Sequence, residues 1–223
     1  MGRDDWYRSE VWNEEIEHAF EVKFKRVRCP VCKVQYLHIQ ACCLFHSQDD
    51  KTQKTGLRIM ERVFEEFPDQ LFAHIDAWRS LGRYYMRVKD YSNAEIYLKK
   101  VIEACTIHKQ YAGSVAYTDL DIVDIILATN KTNRFEEAYT MLQSFSTAFR
   151  SDTFFNDALF RYYDLSARLC FSMKKMSEAK QWADRALGLA QIKEPQLPHH
   201  PTVGLVDASN EQIGVLEQIV GTK

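Results

Sequence analysis

"WRSLGRYYMRVKDYSNAEIYL", Trp78 to Leu98, is the stretch that decides the fold. Trp78, Leu81, Gly82 and Tyr85 fall at successive helical offsets and share one face of a 3.6-residue helix. The pattern then breaks at "KDYSN" and restarts. Ser92 or Asn93 is expected to cap a second helix, in which Ala94, Leu98, Val101 and Ile102 share a face. Gly82 and Ala94 are small where two antiparallel helices must approach closely. The bulky residues on either side fill the layer between neighbouring pairs, and Trp78 is expected among them in the core, where truncation to alanine would cost about 3–5 kcal/mol.

The same arrangement recurs in weaker form. "NRFEEAYTML" places Phe135, Ala138 and Leu142 where Tyr91, Ala94 and Leu98 stand, and the helix before it, "LDIVDIILA", carries Ile122, Ile125 and Ile126. "KKMSEAKQWADRAL" aligns Met176, Ala179, Ala183 and Ala186 behind the helix "NDALFRYYDLSARLC". A degenerate first copy sets Gly56, Met60, Val63 and Pro68 behind "YLHIQACCLFHS". The aligned small residues Gly56, Ala94, Ala138 and Ala179 are 38, 44 and 41 apart (94−56, 138−94, 179−138). Those intervals exceed a regular array of about 34, so helices are longer or loops are inserted, with "CTIHKQYAGSVAYTDL" the expected insertion.

Trp78, Leu81, Gly82, Tyr85, Tyr91, Ala94 and Leu98 resemble the W-x₂-L-G-x₂-Y and alanine signature of a tetratricopeptide repeat. The resemblance covers residues 35–190 and implies an all-α fold, a right-handed stack of about four helix-turn-helix pairs with capping helices at both ends. The domain reading is therefore 1–34 as an N-terminal cap, 35–190 as repeats, and 191–223 as an extended segment plus a C-terminal cap. Within the first part, residues 9–28 read as one amphipathic helix with Val11, Trp12, Ile16, Ala19, Phe20 and Phe24 on its apolar face. In the last, "KEPQLPHHP" is extended by its prolines, and "SNEQIGVLEQIV" is a short helix starting at Ser209 or Asn210.

Composition narrows function. Lys plus Arg total 29 against 31 Asp plus Glu, a net charge of −2, which gives no global attraction to nucleic acid or anionic lipid. No apolar run is long enough for a membrane span and the N-terminus lacks a signal core, so the expected location is cytoplasmic. No Walker, G-x-G-x-x-G, G-x-S-x-G or H-E-x-x-H pattern occurs, so neither catalysis nor a cofactor is expected. One chemical motif remains. Cys29 and Cys32 have two-residue spacing, and Cys42 and His46 lie four apart, a set able to make a Cys₃His zinc site. Against it, free cysteine is a common small apolar residue in helical cores. A redox role for Cys29–Cys32 lacks the strand-helix context of thioredoxins.

The resemblance implies that another protein lies along the first helix of each pair. By position this selects Asp76, Arg79, Arg83, Met86 and Arg87 in the best repeat. It also selects Arg161, Asp164, Arg168 and Phe171 in the last, with Asn130 in the third. Arg79, Arg83 and Arg87 form one cationic ridge, suited to an acidic ligand because guanidinium forks pair with carboxylates. The competing reading is that Asp76, Asp90, Glu95 and Asp164 neutralise the arginines internally. The whole chain also resembles small stand-alone bacterial helical-repeat proteins, many of them similar to antitoxins or immunity proteins that occlude a toxin domain. The function expected is thus a non-enzymatic protein-binding scaffold, with an immunity protein as its specific form. The alternatives are a general adaptor or chaperone for acidic peptides, or a zinc-binding regulator through Cys29, Cys32, Cys42 and His46.

Overall fold

The computed structural model describes residues 5–108, 112–148 and 155–222. Ten α-helices and no strand occur among them. The chain divides into two compact units, Met1–His108 and Lys109–Lys223. The first holds α1 (Glu14–Arg26), α2 (Pro30–Phe45), α3 (Asp50–Glu66), α4 (Leu71–Arg87) and α5 (Tyr91–His108). The second holds α6 (Ala112–Ala128), a 3₁₀ turn (Thr132–Arg134), α7 (Phe135–Ala148), α8 (Asn156–Ser172), α9 (Met176–Ala190) and α10 (Asn210–Gly221). Neighbouring helices pair as α2–α3, α4–α5, α6–α7 and α8–α9, and α10 packs on α9 and α8. The fold is all-α and tetratricopeptide-like.

The small residues that set the repeat are the points of helix contact. A Cβ on Gly82 would lie 2.6 Å from Leu98 Cδ2, and one on Gly56 would lie 3.0 Å from Phe45 and 3.1 Å from the Ala41 carbonyl. Ala94, Ala138 and Ala179 are fully buried at the corresponding positions. Only a side chain no larger than methyl lets two helix axes come this close.

The hairpin turns repeat too. Lys89, Asn130 and Lys174, each just past a first helix, have φ of 61°, 48° and 62°. In each turn the following amide bonds back to the carbonyl five residues earlier: Asp90 to Tyr85, Lys131 to Ile126 and Lys175 to Cys170, at 2.9, 3.1 and 2.8 Å. This six-to-one bond and the left-handed residue before it make a Schellman stop, which satisfies carbonyls a helix end leaves open. Asp90, rather than Ser92 or Asn93, caps α5 by accepting the Asn93 amide at 3.1 Å. The α2–α3 turn differs: His46 is right-handed at φ −82°, and Asp49 caps α3 through the Thr52 amide at 2.8 Å.

Three expectations are corrected. The stretch 105–120 is not a loop insertion. α5 runs to His108 and α6 starts at Ala112, so longer helices lengthen the repeat there, while residues 109–111 lie outside the described ones. The first helix begins at Glu14 with Asn13 capping the Ile16 amide at 2.9 Å, so residues 9–12 precede it. Val11 and Ala19 are exposed, and the face that packs is Phe20 and Phe24. Trp78 is only half-buried. The C-terminal helix starts where expected, with Ser209 and Gln212 forming a reciprocal capping box.

In the first unit, residues before α1 are anchored by a buried amide. Gln40 on α2 accepts from the Ser9 amide at 3.1 Å and donates to the Ser9 carbonyl at 2.7 Å. Trp6 and Tyr7 pack on Tyr36, and Trp6 also meets Phe20. Arg58 and Arg62 of α3 pair with Glu17 and Glu21 of α1 at 2.9 and 2.5 Å, fixing α1 along the hairpin.

Candidate functional site

α4 carries the expected contact row of the first unit. Asp76, Arg83 and Arg87 are exposed, while Met86 and Arg79 are half-buried. The arginines are not equivalent. Arg79 Nη1 donates to Asp76 at 3.3 Å, whereas its Nε and Nη2 are buried and meet no acceptor among the described residues. Arg87 reaches across to the end of α2, where it donates to the Phe45 carbonyl and lies 3.2 Å from His46 Nδ1. A cation there complements the negative end of the α2 dipole. Of the three, Arg87 thus has a structural duty, and Arg83 is solvent-accessible on the same row.

Beside this row runs a polar seam between the first helices of two pairs. His38 Nε2 lies 2.8 Å from Ser80 Oγ and 3.6 Å from Cys42 Sγ, linking α2 to α4. Burial holds the His38 imidazole below its ordinary pKa despite the nearby Asp76, so the ring stays neutral near pH 7. Burial likewise raises the Cys42 thiol. A neutral ring beside a protonated thiol and a hydroxyl is a packing contact rather than an activated nucleophile.

On another side of the same unit, Phe64, His74, Trp78, Tyr85 and Tyr97 line a cleft of about 370 Å³, with Leu57, Glu61, Leu81 and Lys100. Phe64 stacks on Trp78 with centroids 6.0 Å apart, and Tyr85 on Tyr97 at 5.6 Å. Lys100 lies over both Trp78 and Tyr97. Trp78 is therefore a cleft wall, which explains its partial exposure.

The second unit treats its arginines differently. Arg161 pairs with buried Asp121 at 2.6 Å and with Asp124 at 3.7 Å. Arg168 pairs with buried Asp164 at 2.8 Å and with Asp124 at 3.5 Å. Burial pushes the Asp164 carboxyl up, against the pull of Arg168. Asp124, Arg161, Asp164 and Arg168 border a cleft of about 300 Å³ together with Leu205, Val206, Asp207 and Gln212. Its lining holds four carboxylates, Asp124, Asp157, Asp164 and Asp207, against two guanidiniums. Phe171 lines an adjacent cleft with Leu127, Arg168 and Val215. Asn130 lies elsewhere, as the left-handed stop of α6. Internal neutralisation by Asp76 and Asp164 occurs, on Arg79 and Arg168. Asp90 caps a helix, and Glu95 pairs with Lys99 at 2.9 Å.

The proposed zinc set is not gathered. Among the described residues no group of three or more His, Cys, Asp or Glu side chains comes together as a metal site. Cys29 caps α2, Cys42 faces His38, and His46 faces Arg87. Nor is any helix among them long and apolar enough to cross a membrane.

Residues 75–106, spanning most of α4 and α5, match the model of the tetratricopeptide repeat family. The chain is a tetratricopeptide-like helical-repeat protein. No curated protein and no solved structure matches it. The matched tetratricopeptide hairpin is the one that carries Asp76, Arg79, Arg83 and Arg87. Repeats of this kind mediate binding to another protein.

Proposed function

We propose that this protein is a non-enzymatic scaffold that holds one folded partner protein, with the α4 row of the tetratricopeptide hairpin as the principal contact. The observation that carries this reading is the exposed Arg83, one helical turn from Arg87 on a support stiffened by the Gly82–Leu98 contact. The planar fork of Arg83 recognises carboxylates with less entropy lost per hydrogen bond than a lysine would lose. The row takes an acidic patch of the partner. In the second unit the contact residues are Arg161, Arg168 and Phe171, while Asp164 lies buried behind Arg168. There the excess of carboxylates favours basic side chains, so the partner presents both signs of charge.

The specific form of this function is an immunity or antitoxin-type protein, active in a bacterial cytoplasm, that occludes a toxin domain. It rests on the resemblance drawn from the sequence, beside the repeat matched over residues 75–106. Co-expression with the reading frame beside its gene tests it: rescue of growth from that frame's toxicity is the expected result. Absence of rescue, together with micromolar binding to acidic peptides ending in a free carboxylate, would instead establish a general adaptor.

A further inference from the structure

The turn between α1 and α2 holds chemistry that partner binding does not use. Cys29 is the N-cap of α2, and its Sγ accepts the Cys32 amide at 3.4 Å. Pro30 occupies the first turn and fixes the backbone between the two cysteines. Cys29 is exposed and Cys32 half-buried. The neighbouring Cys32 side chain holds the Cys29 pKa below its ordinary value, and the Cys29 sulfur in turn raises that of Cys32. The Cys32 amide thus caps its neighbour's sulfur, with both cysteines in the same first turn of α2.

The other four cysteines offer a contrast within one molecule. Cys105 and Cys170 are buried, and Cys42 and Cys43 are half-buried with thiols raised by burial. A thiolate at a helix N-terminus is stabilised by the amide and by the positive end of the dipole, and solvent access lets it react. Arg28 and Lys33 flank the pair in sequence and favour an anionic reactant. A thioredoxin strand is not needed for this arrangement; the helix start alone creates it.

We propose that Cys29 and Cys32 form a reversible dithiol–disulfide pair that exchanges with small disulfides of the glutathione class, Cys29 attacking and Cys32 resolving. The Cys29 thiolate attacks one sulfur of glutathione disulfide, forming a mixed disulfide and expelling the first glutathione as a thiolate. Cys32 then loses its proton and attacks Cys29 Sγ, expelling the second. Two protein thiols are oxidised, one glutathione disulfide is reduced, and the two thiol protons end on the two glutathione molecules.

Trypsin makes the test direct, because cleavage after Arg28 and Lys33 releases a peptide holding these two cysteines alone. The reduced full-length chain is incubated with glutathione disulfide, quenched in acid, alkylated, digested and weighed. The expected product is that peptide lighter by two hydrogens, with two glutathione molecules released per disulfide formed. Cys32→Ser should trap the mixed disulfide on Cys29. Cys29→Ser keeps a good cap and should react at least about tenfold more slowly. A stable mixed disulfide in the wild-type chain, faster modification of Cys42 or Cys43, or an unchanged rate in Cys29→Ser would each overturn the proposal.

Discussion

Gly82 and Leu98 touch so closely that no side chain fits between them: a Cβ at position 82 would stand 2.6 Å from Leu98 Cδ2 and 2.7 Å from its Cγ. Leu98 is fully buried and has little room to retreat. Gly82→Val is therefore expected to destabilise the first unit by about 1–3 kcal/mol through overpacking. Gly188, inside α9, is the control, since a Cβ there meets nothing within 4 Å. Gly188→Ala is expected to stabilise by about 0.5–1 kcal/mol. Urea denaturation of both variants checks the opposite signs.

The three left-handed turns give a second test. Lys89 and Lys174 hold φ near 60° without being glycine, a conformation costing roughly 1–2 kcal/mol for an L residue. Lys89→Gly and Lys174→Gly should each raise the melting temperature, because glycine enters that region freely. A fall in both would show that the lysine side chains contribute more than the backbone loses.

Trp78 and Leu98 separate wall from core. Trp78 borders the aromatic cleft and is half-buried, whereas Leu98 is fully buried. Leu98→Ala should cost about 2–5 kcal/mol, as buried leucine truncations do. Trp78→Ala should cost less, about 1–2 kcal/mol, because part of its ring already meets solvent. Equal losses by urea unfolding would return Trp78 to the core.

Acidity tests the second unit. Burial raises the Asp119 carboxyl from 3.8 to about 6. The folded state then binds a proton that the unfolded chain lacks between those values, so the stability contributed by this group is full below about pH 4 and is lost as pH rises through about 6. Asp119→Asn should raise the urea midpoint at about pH 8, and the difference from wild type should vanish near pH 4. A gain that persists at the acid end would point to packing rather than charge.

What could be read in the sequence follows from how local each feature is. The hairpins were legible because close helix approach demands small residues, and Gly56, Ala94, Ala138 and Ala179 mark it once per pair. The Ser209 cap was legible because a capping box spans only four residues. The Ser9–Gln40 clasp was not, since it joins positions 31 apart through one buried amide. The fate of the arginines was half legible. Their spacing placed them on first helices, but Arg87 serves the α2 carboxyl end and Arg161 and Arg168 meet aspartates from α6, pairings set by tertiary packing.

The account stands or falls on whether the α4 row touches a partner. A photo-crosslinking residue at position 83, with position 188 as control, identifies the bound protein; that protein is then purified and titrated against wild type and Arg83→Glu. The expected result is capture from position 83 alone and roughly tenfold weaker binding by Arg83→Glu, with helicity and melting temperature unchanged. Equal affinity of the two chains for that protein would contradict the account.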